Sequence, residues 1–160
     1  MTTVFTRIDS PLGPLLAARE GSAITAIRFP PADPQDDWMR DDDAFDDVRG
    51  ALSEYFSGRR VTFELPLDLR GTEFQTSVWR ALLDIPFGQT TTYGELARRL
   101  GKPAAARAVG AANGANPIPI VIPCHRVIGS HGALVGFGGG LPVKRWLLEH
   151  EAAVAGRRLF

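Results

Sequence analysis

The sequence predicts an α+β chain in two parts: a small sheet carrying one helix, then a mainly helical part containing a helix-turn-helix. Three observations carry this. Short β-prone runs separated by turn residues fill the front of the chain. One segment there has apolar residues at helical spacing. Near Arg70-Gly71 the texture changes to consecutive helix-start signals. The expected division is therefore residues 1–70 and residues 71–160.

In the first part, residues 4–8 form a β-prone run and Ser10-Pro11-Leu12-Gly13-Pro14 supplies a turn. Residues 15–18 and 24–29 read as the next strands, with Glu20-Gly21-Ser22 turning between them. Residues 30–43, rich in Pro and Asp, read as a solvated loop. Phe45, Val48, Leu52, Tyr55 and Phe56 then share one helical face, and Gly58 follows as a stop. Residues 61–65 return to strand character. No catalytic constellation shows in this part.

In the second part, Thr72 with Gln75 makes a capping-box pattern, and Phe74, Val78 and Leu82 form the stripe behind it. Ile85-Pro86-Phe87-Gly88 ends that helix. Thr92 with Glu95 is a second capping box, opening a short helix through Leu100 that Gly101 terminates. Pro103 suits the first turn of a third helix over residues 104–112, ended by Asn113-Gly114. The tight Gly101-Lys102-Pro103 link between the two fits a helix-turn-helix. Residues 116–123 read as extended and mostly apolar, because Pro117, Pro119 and Pro123 forbid a helix interior. Glycines crowd residues 129–140, where the backbone must bend sharply or admit something close. Pro142 opens a final helix through Glu151, with Val143, Trp146, Leu147 and His150 at helical spacing.

Composition narrows the classes. Hydrophobic residues at 44% and charged residues at 22% describe a globular chain rather than a disordered one. Its apolar runs fall short of the roughly 18 residues a membrane span needs, so no membrane partner is expected. The start lacks a basic stretch followed by an apolar core, so no signal peptide is apparent. A single cysteine, Cys124, excludes an internal disulfide and a multi-cysteine zinc site and suits a reducing cytoplasm. The expected location is cytoplasmic. The net charge of zero divides into 13 acidic and 8 basic residues in positions 1–70 against 5 and 10 in positions 71–160, or −5 and +5. A basic back half prompts a nucleic-acid partner; an unevenly charged solvated surface is the plainer reading.

Cys124 is the residue to explain. Taken alone, a free cysteine is as a rule an inert buried thiol. Three features point elsewhere. His125 and Arg126 offer a base and a fixed positive charge, surroundings that favour thiolate. The preceding prolines restrict the backbone and hold the sulfur in place. The glycine-rich loop beyond leaves space for a ligand. None of these names the electrophile.

The run Pro123-Cys124-His125-Arg126-Val127-Ile128-Gly129 resembles the active-site signature of the O6-alkylguanine-DNA alkyltransferases, which repair alkylated guanine by moving the alkyl group onto cysteine. Thr90-Thr91-Thr92-Tyr93-Gly94-Glu95-Leu96-Ala97, Ala106-Arg107-Ala108-Val109-Gly110 and Asn116-Pro117-Ile118-Pro119-Ile120 resemble the family in order and spacing. So do Gly139-Gly140-Leu141 and the stretch from Lys144 to Glu151. Residues 72–151 match well and residues 1–70 loosely, in the manner of the small bacterial members.

The resemblance implies a ribonuclease H-like front part and a set of roles. Cys124 would accept the alkyl group. His125, bridged by water to the sulfur, would take its proton, and Glu151 would orient that histidine and stabilise its charge. Tyr93 would assist the departing guanine and steer the phosphate of the turned-out nucleotide. Arg107 would fill the space the base leaves, and Asn116 would brace the segment leading to the cysteine. Thr92, Tyr93, Ala106, Arg107, Gly110, Asn113 and Arg126 would face DNA. The backbone around Cys124 and Val127, with Val135, Phe137 and Gly138, would line the pocket for guanine and its alkyl group.

The partner implied is double-stranded DNA containing O6-alkylguanine, entered through the minor groove, with O4-alkylthymine left open. The alanine-rich third helix suits that narrow groove, and equally suits close helix packing. No cofactor or metal is expected, since the zinc ligands of some larger relatives are absent. One transfer per polypeptide is expected, because no residue has an evident way to cleave a thioether. The free chain is expected to be a monomer, with cooperativity on DNA open. Phe137 and Gly138 depart from residues the family often holds there, tyrosine and serine or alanine, which leaves the accepted alkyl sizes open. Two other functions compete: a damage sensor with an unreactive thiol, and a cysteine hydrolase using Cys124 and His125. Alkyltransferase-like proteins that do not repair carry tryptophan in place of this cysteine, which argues against the sensor.

Overall fold

The second strand explains the first sheet. In β2 (Leu15–Glu20) the residues from Leu15 to Arg19 are all buried, the pattern of a strand covered on both faces. It lies between β1 (Thr3–Ile8) and β3 (Ala23–Arg28), antiparallel to both. In this computed structural model, residues 2–129, 137 and 139–158 are described, and the chain divides into two compact units, Met1–Arg70 and Gly71–Phe160.

The sheet of the first unit has the order β3-β2-β1-β4. Its fourth strand, β4 (Met39–Arg40), corrects the reading of residues 30–43 as loop throughout: Met39 pairs with Val4 and Arg40 with Phe5, parallel to β1. A two-residue strand between prolines and aspartates leaves no alternation to detect. Residues 61–65 form no strand. Pairing there is confined to a bridge between Ile24 and Leu67, with Ile24 N–H donating to the Pro66 carbonyl and Asp68 N–H to the Ile24 carbonyl. Pro66 itself has no N–H to extend the ladder. Helix α1 (Asp46–Phe56) buries Val48, Ala51, Leu52 and Tyr55, while Gly58, at φ 80°, follows its end. Arg19, buried on β2, is held by Asp47 at 2.7 Å and by the carbonyls of Ala44 and Ser22.

In the second unit, α2 (Glu73–Leu82) starts with a full capping box: Thr72 Oγ1 accepts from Gln75 N–H at 3.1 Å, and Thr72 N–H donates to Gln75 Oε1 at 2.9 Å. Its buried Trp79 donates to the Ala112 carbonyl at 2.8 Å, tying α2 to α4 (Ala106–Gly114). Helix α3 (Tyr93–Arg99) has half of its expected box. Thr92 accepts from Glu95 N–H, but the Glu95 carboxylate is taken by Arg98 at 2.6 Å. Gly101, at φ 71°, turns the chain, and Pro103 opens a single 3-10 turn before α4. Asn113 and Gly114 belong to α4 rather than stopping it.

The final helix, α5 (Leu141–Arg158), runs seven residues beyond Glu151, and its buried face differs from the expected stripe. Lys144, Leu147, Glu151 and Val154 are buried, whereas Val143, Trp146 and His150 are only partly covered. Two charged residues on the inner face hid it, since a lysine and a glutamate on a helix read as solvent-facing.

Candidate active site

Residues 116–123 are folded back rather than extended. Ile122 N–H donates to the Ile118 carbonyl at 2.9 Å, closing a turn whose tip is Ile120 at φ 75°. A β-branched residue is strained in that region. The burial of Ile118, Ile120, Val121 and Ile122 holds it there. Asn116 clamps the same turn from inside, with Nδ2 donating to the Ile122 carbonyl at 2.8 Å and Oδ1 accepting from Ile118 N–H at 3.0 Å. The turn delivers the chain into a 3-10 turn over Cys124–Arg126 and then β6 (Val127–Ile128). Strand β6 pairs in parallel with β5 (Thr91–Thr92), so the cysteine segment runs beside the start of α3 and Tyr93.

Cys124 is 4% exposed. Burial pushes its thiol up to about 11, against the pull of an Asn116 hydrogen bond and the charge of Lys144. This corrects the expectation that His125 and Arg126 create a thiolate-favouring environment. Both side chains turn to Glu151 instead. His125 Nε2 lies 2.7 Å from Glu151 Oε2, while Arg126 binds the same carboxylate through Nε at 2.8 Å and Nη2 at 3.0 Å. Arg126 Nη1 also donates to the Ile85 carbonyl, and its guanidinium lies over the Phe87 ring.

Burial works against the charge on Glu151, but the bonds and charges of His125 and Arg126 outweigh it and hold the carboxyl well below its usual range. Burial also lowers the pKa of His125, against the opposing pull of Glu151, and favours the neutral ring. A neutral ring beside a carboxylate carries its proton on Nε2, which leaves Nδ1 as an acceptor. Nδ1 is buried with no hydrogen-bond partner among the described residues. Glu151 lies mid-helix because α5 continues, so the unfavourable helix-end dipole expected there does not act on it.

Lys144 is the residue the sequence reading passed over. It is fully buried, its Nζ donates to the Val127 carbonyl at 2.5 Å, and it lies over the Tyr93 ring at 6.0 Å. Its charge is coupled to Cys124. The available signal was its spacing from Leu147, Glu151 and Val154 on one helical face.

Tyr93 is half-buried at the first turn of α3, with its ring against Gly110 of α4. Arg107 projects from the exposed face of α4, beside the exposed Ala108 and Ala111. Ala106 and Gly110 are partly exposed on the same helix, and Thr92 caps α3. Two of the residues expected to face DNA do not. Asn113 is buried, its Nδ2 donating to the Cys124 carbonyl at 3.3 Å, and Arg126 is buried on Glu151. In both cases an interior acceptor claims the donor. The backbone carbonyls of Cys124 and Val127 already accept from Asn113 and Lys144, and each oxygen has a second lone pair to offer. Phe137 is partly covered, and its carbonyl accepts from Gly140 N–H. Val135 and Gly138 lie outside the described residues.

A helix-turn-helix unit thus carries one cysteine beside a histidine–carboxylate pair, behind a separate small sheet. Residues 73–153 match the family described as 6-O-methylguanine DNA methyltransferase, DNA binding domain. Residues 3–69 match its ribonuclease-like domain. The chain belongs to the 6-O-methylguanine DNA methyltransferase family. A methylated-DNA–protein-cysteine methyltransferase of Mycobacterium tuberculosis (strain H37Rv) is 51% identical over 153 residues, covering 92% of each chain. One of Methanosarcina acetivorans is 43% identical over 149 residues, covering 91% of this chain and 96% of that one. Among solved structures, Mycobacterium tuberculosis OGT in complex with DNA superimposes with a TM-score of 0.91 at 50% identity, covering 94% of each chain.

Proposed function

We propose that this protein repairs DNA by moving the methyl group of O6-methylguanine onto Cys124, once per polypeptide. The observation that carries the reading is the buried constellation in one unit: a thiol at Cys124, a neutral His125 with Nδ1 unpaired among the described residues, and an ionised Glu151 behind it. Such an arrangement follows the logic of nucleophile, base and orienting anion. A thiol held as high as about 11 is inert at neutral pH. It needs a base at the moment of reaction, and His125, through a bridging water, is that base. Lys144 supplies the positive charge for the thiolate that forms, a role first assigned to Arg126.

Transfer forms the S–C bond as the C–O6 bond breaks, and the bonding pair stays with guanine. The thiol proton passes to His125, and guanine gains a proton through Tyr93. The target carbon lies inside a stacked duplex, so the nucleotide must be turned out first. Arg107, exposed on a face of small residues on α4, is placed to fill the gap from the minor groove. Affinity then comes mainly from phosphate contacts and falls with added salt. The thioether product has no evident route back to thiol. A single reactive thiol also requires a reducing compartment, which supports a cytoplasmic location. The free chain works as a monomer in this reading.

The test is intact-mass measurement after mixing with duplex DNA containing O6-methylguanine. A single methyl-sized gain, mapped to the Cys124 peptide, is expected in stoichiometric amount. Cys124→Ser abolishes the gain and retains DNA binding. Tight binding with no change of mass in the unsubstituted chain would favour a damage sensor, and repeated turnover would favour a hydrolase.

A further inference from the structure

Asn113 reaches the reaction centre without being assigned to the thiol. Its side chain is 1% exposed, on the inner face of α4. Nδ2 donates to the Cys124 carbonyl at 3.3 Å, and the same side chain is hydrogen-bonded to the Tyr93 hydroxyl. An amide nitrogen carries two protons, so one Nδ2 serves both oxygens. Oδ1 is buried with no hydrogen-bond partner among the described residues. An unpaired buried acceptor carries a desolvation cost that a side chain needed only for packing would avoid. The donor end is committed to the two residues that flank the reacting atoms.

A phenol has one proton to give. Where Asn113 donates to the Tyr93 oxygen, that oxygen is an acceptor on its inner side and its own proton is directed away from Asn113. The bond to the Cys124 carbonyl fixes the amide from its other proton. We propose that Asn113 is a positioning residue for proton delivery, holding the Tyr93 hydroxyl so that its proton faces the departing guanine. The inference rests on the alkyl-transfer reading above. In the step concerned, the S–C bond forms and the C–O6 bond breaks. The Tyr93 proton passes to guanine, and the phenolate is reprotonated from solvent. Donation from Asn113 favours that phenolate and so opposes the upward push of burial on Tyr93.

The test is a double-mutant cycle on single-turnover transfer from duplex O6-methylguanine. Asn113→Leu, close in volume and without a donor, is expected to slow transfer about tenfold when Tyr93 is present and less than about twofold in the Tyr93→Phe background. Alkylation of Cys124 by iodoacetamide, whose iodide leaves without a proton, is expected to stay within about twofold. Equal losses in both backgrounds, or a parallel loss of iodoacetamide reactivity, would overturn the proposal and make Asn113 a prop for the Cys124 backbone. Asn113→Ala runs the same cycle if the leucine variant does not fold. Absence of any methyl gain in the unsubstituted chain sinks the transfer reading itself, and this proposal with it.

Discussion

His125 and Glu151 share a 2.7 Å hydrogen bond in the interior, with side-chain exposures of 0% and 1%. The bond settles which ring nitrogen carries the proton and which is left to receive one. The carboxylate also anchors Arg126 and lies 3.4 Å from the backbone N–H of Gly88, so one anion organises a histidine, a guanidinium and a turn.

Glu151→Gln keeps the shape and removes the charge. Arg126 is then buried without its anion, and stability falls by about 3 kcal/mol, read by urea denaturation. Transfer slows by about a hundredfold, because the imidazolium loses its counter-charge. The unfolded chain binds the Glu151 proton more tightly than the folded one. The contribution is therefore whole above the ordinary value of 4.5 and is lost as pH falls below it. The stability gap between the two proteins should narrow in acid; a gap that stays flat down to about pH 3 would contradict the assignment.

The free thiol should behave as a weak acid. Iodoacetamide alkylation of Cys124 is expected to climb about tenfold per pH unit from neutral pH until it levels near the value of about 11. Lys144→Met should slow the reaction at each pH and move the plateau higher. An unchanged profile would mean that the lysine charge is not felt at sulfur.

Arg107→Ala should leave the melting temperature nearly unchanged, since the side chain is exposed and a surface change of this kind stays within about 0.5 kcal/mol. Transfer from duplex O6-methylguanine should fall, while reaction with free O6-benzylguanine should not. Equal losses on both substrates would remove its role as a wedge.

Gly88→Ala meets two obstacles. The backbone there has φ 78°, and an added Cβ would stand 2.7 Å from Ala155 Cβ on α5. The expected cost is about 2 kcal/mol, read as a lower melting temperature. A loss of transfer rate should accompany it, because the same turn contacts Glu151. A variant as stable and as fast as the parent would show that the turn moves freely.

Local signals were legible where neighbours in sequence decide the outcome. Thr72 and Gln75 satisfy each other, and the first three strands and the helix ending before Gly58 lie close to where alternation and spacing put them. The two-residue β4 and the turn around Ile120 were not legible. The one is set by pairing with β1, the other by burial that overrides the strain of its tip.

The division runs through the candidate site as well. Sequence alone marked Cys124, His125, Tyr93, Arg107 and Asn116, because several motifs in one order restrict the chemistry even before folding. Only the tertiary structure decided that Arg126 and Asn113 face inward and that Lys144, rather than Arg126, is coupled to the sulfur. The physical reason is burial. A charged or amide side chain taken from water must find a partner, and which partner lies within reach depends on how distant segments pack.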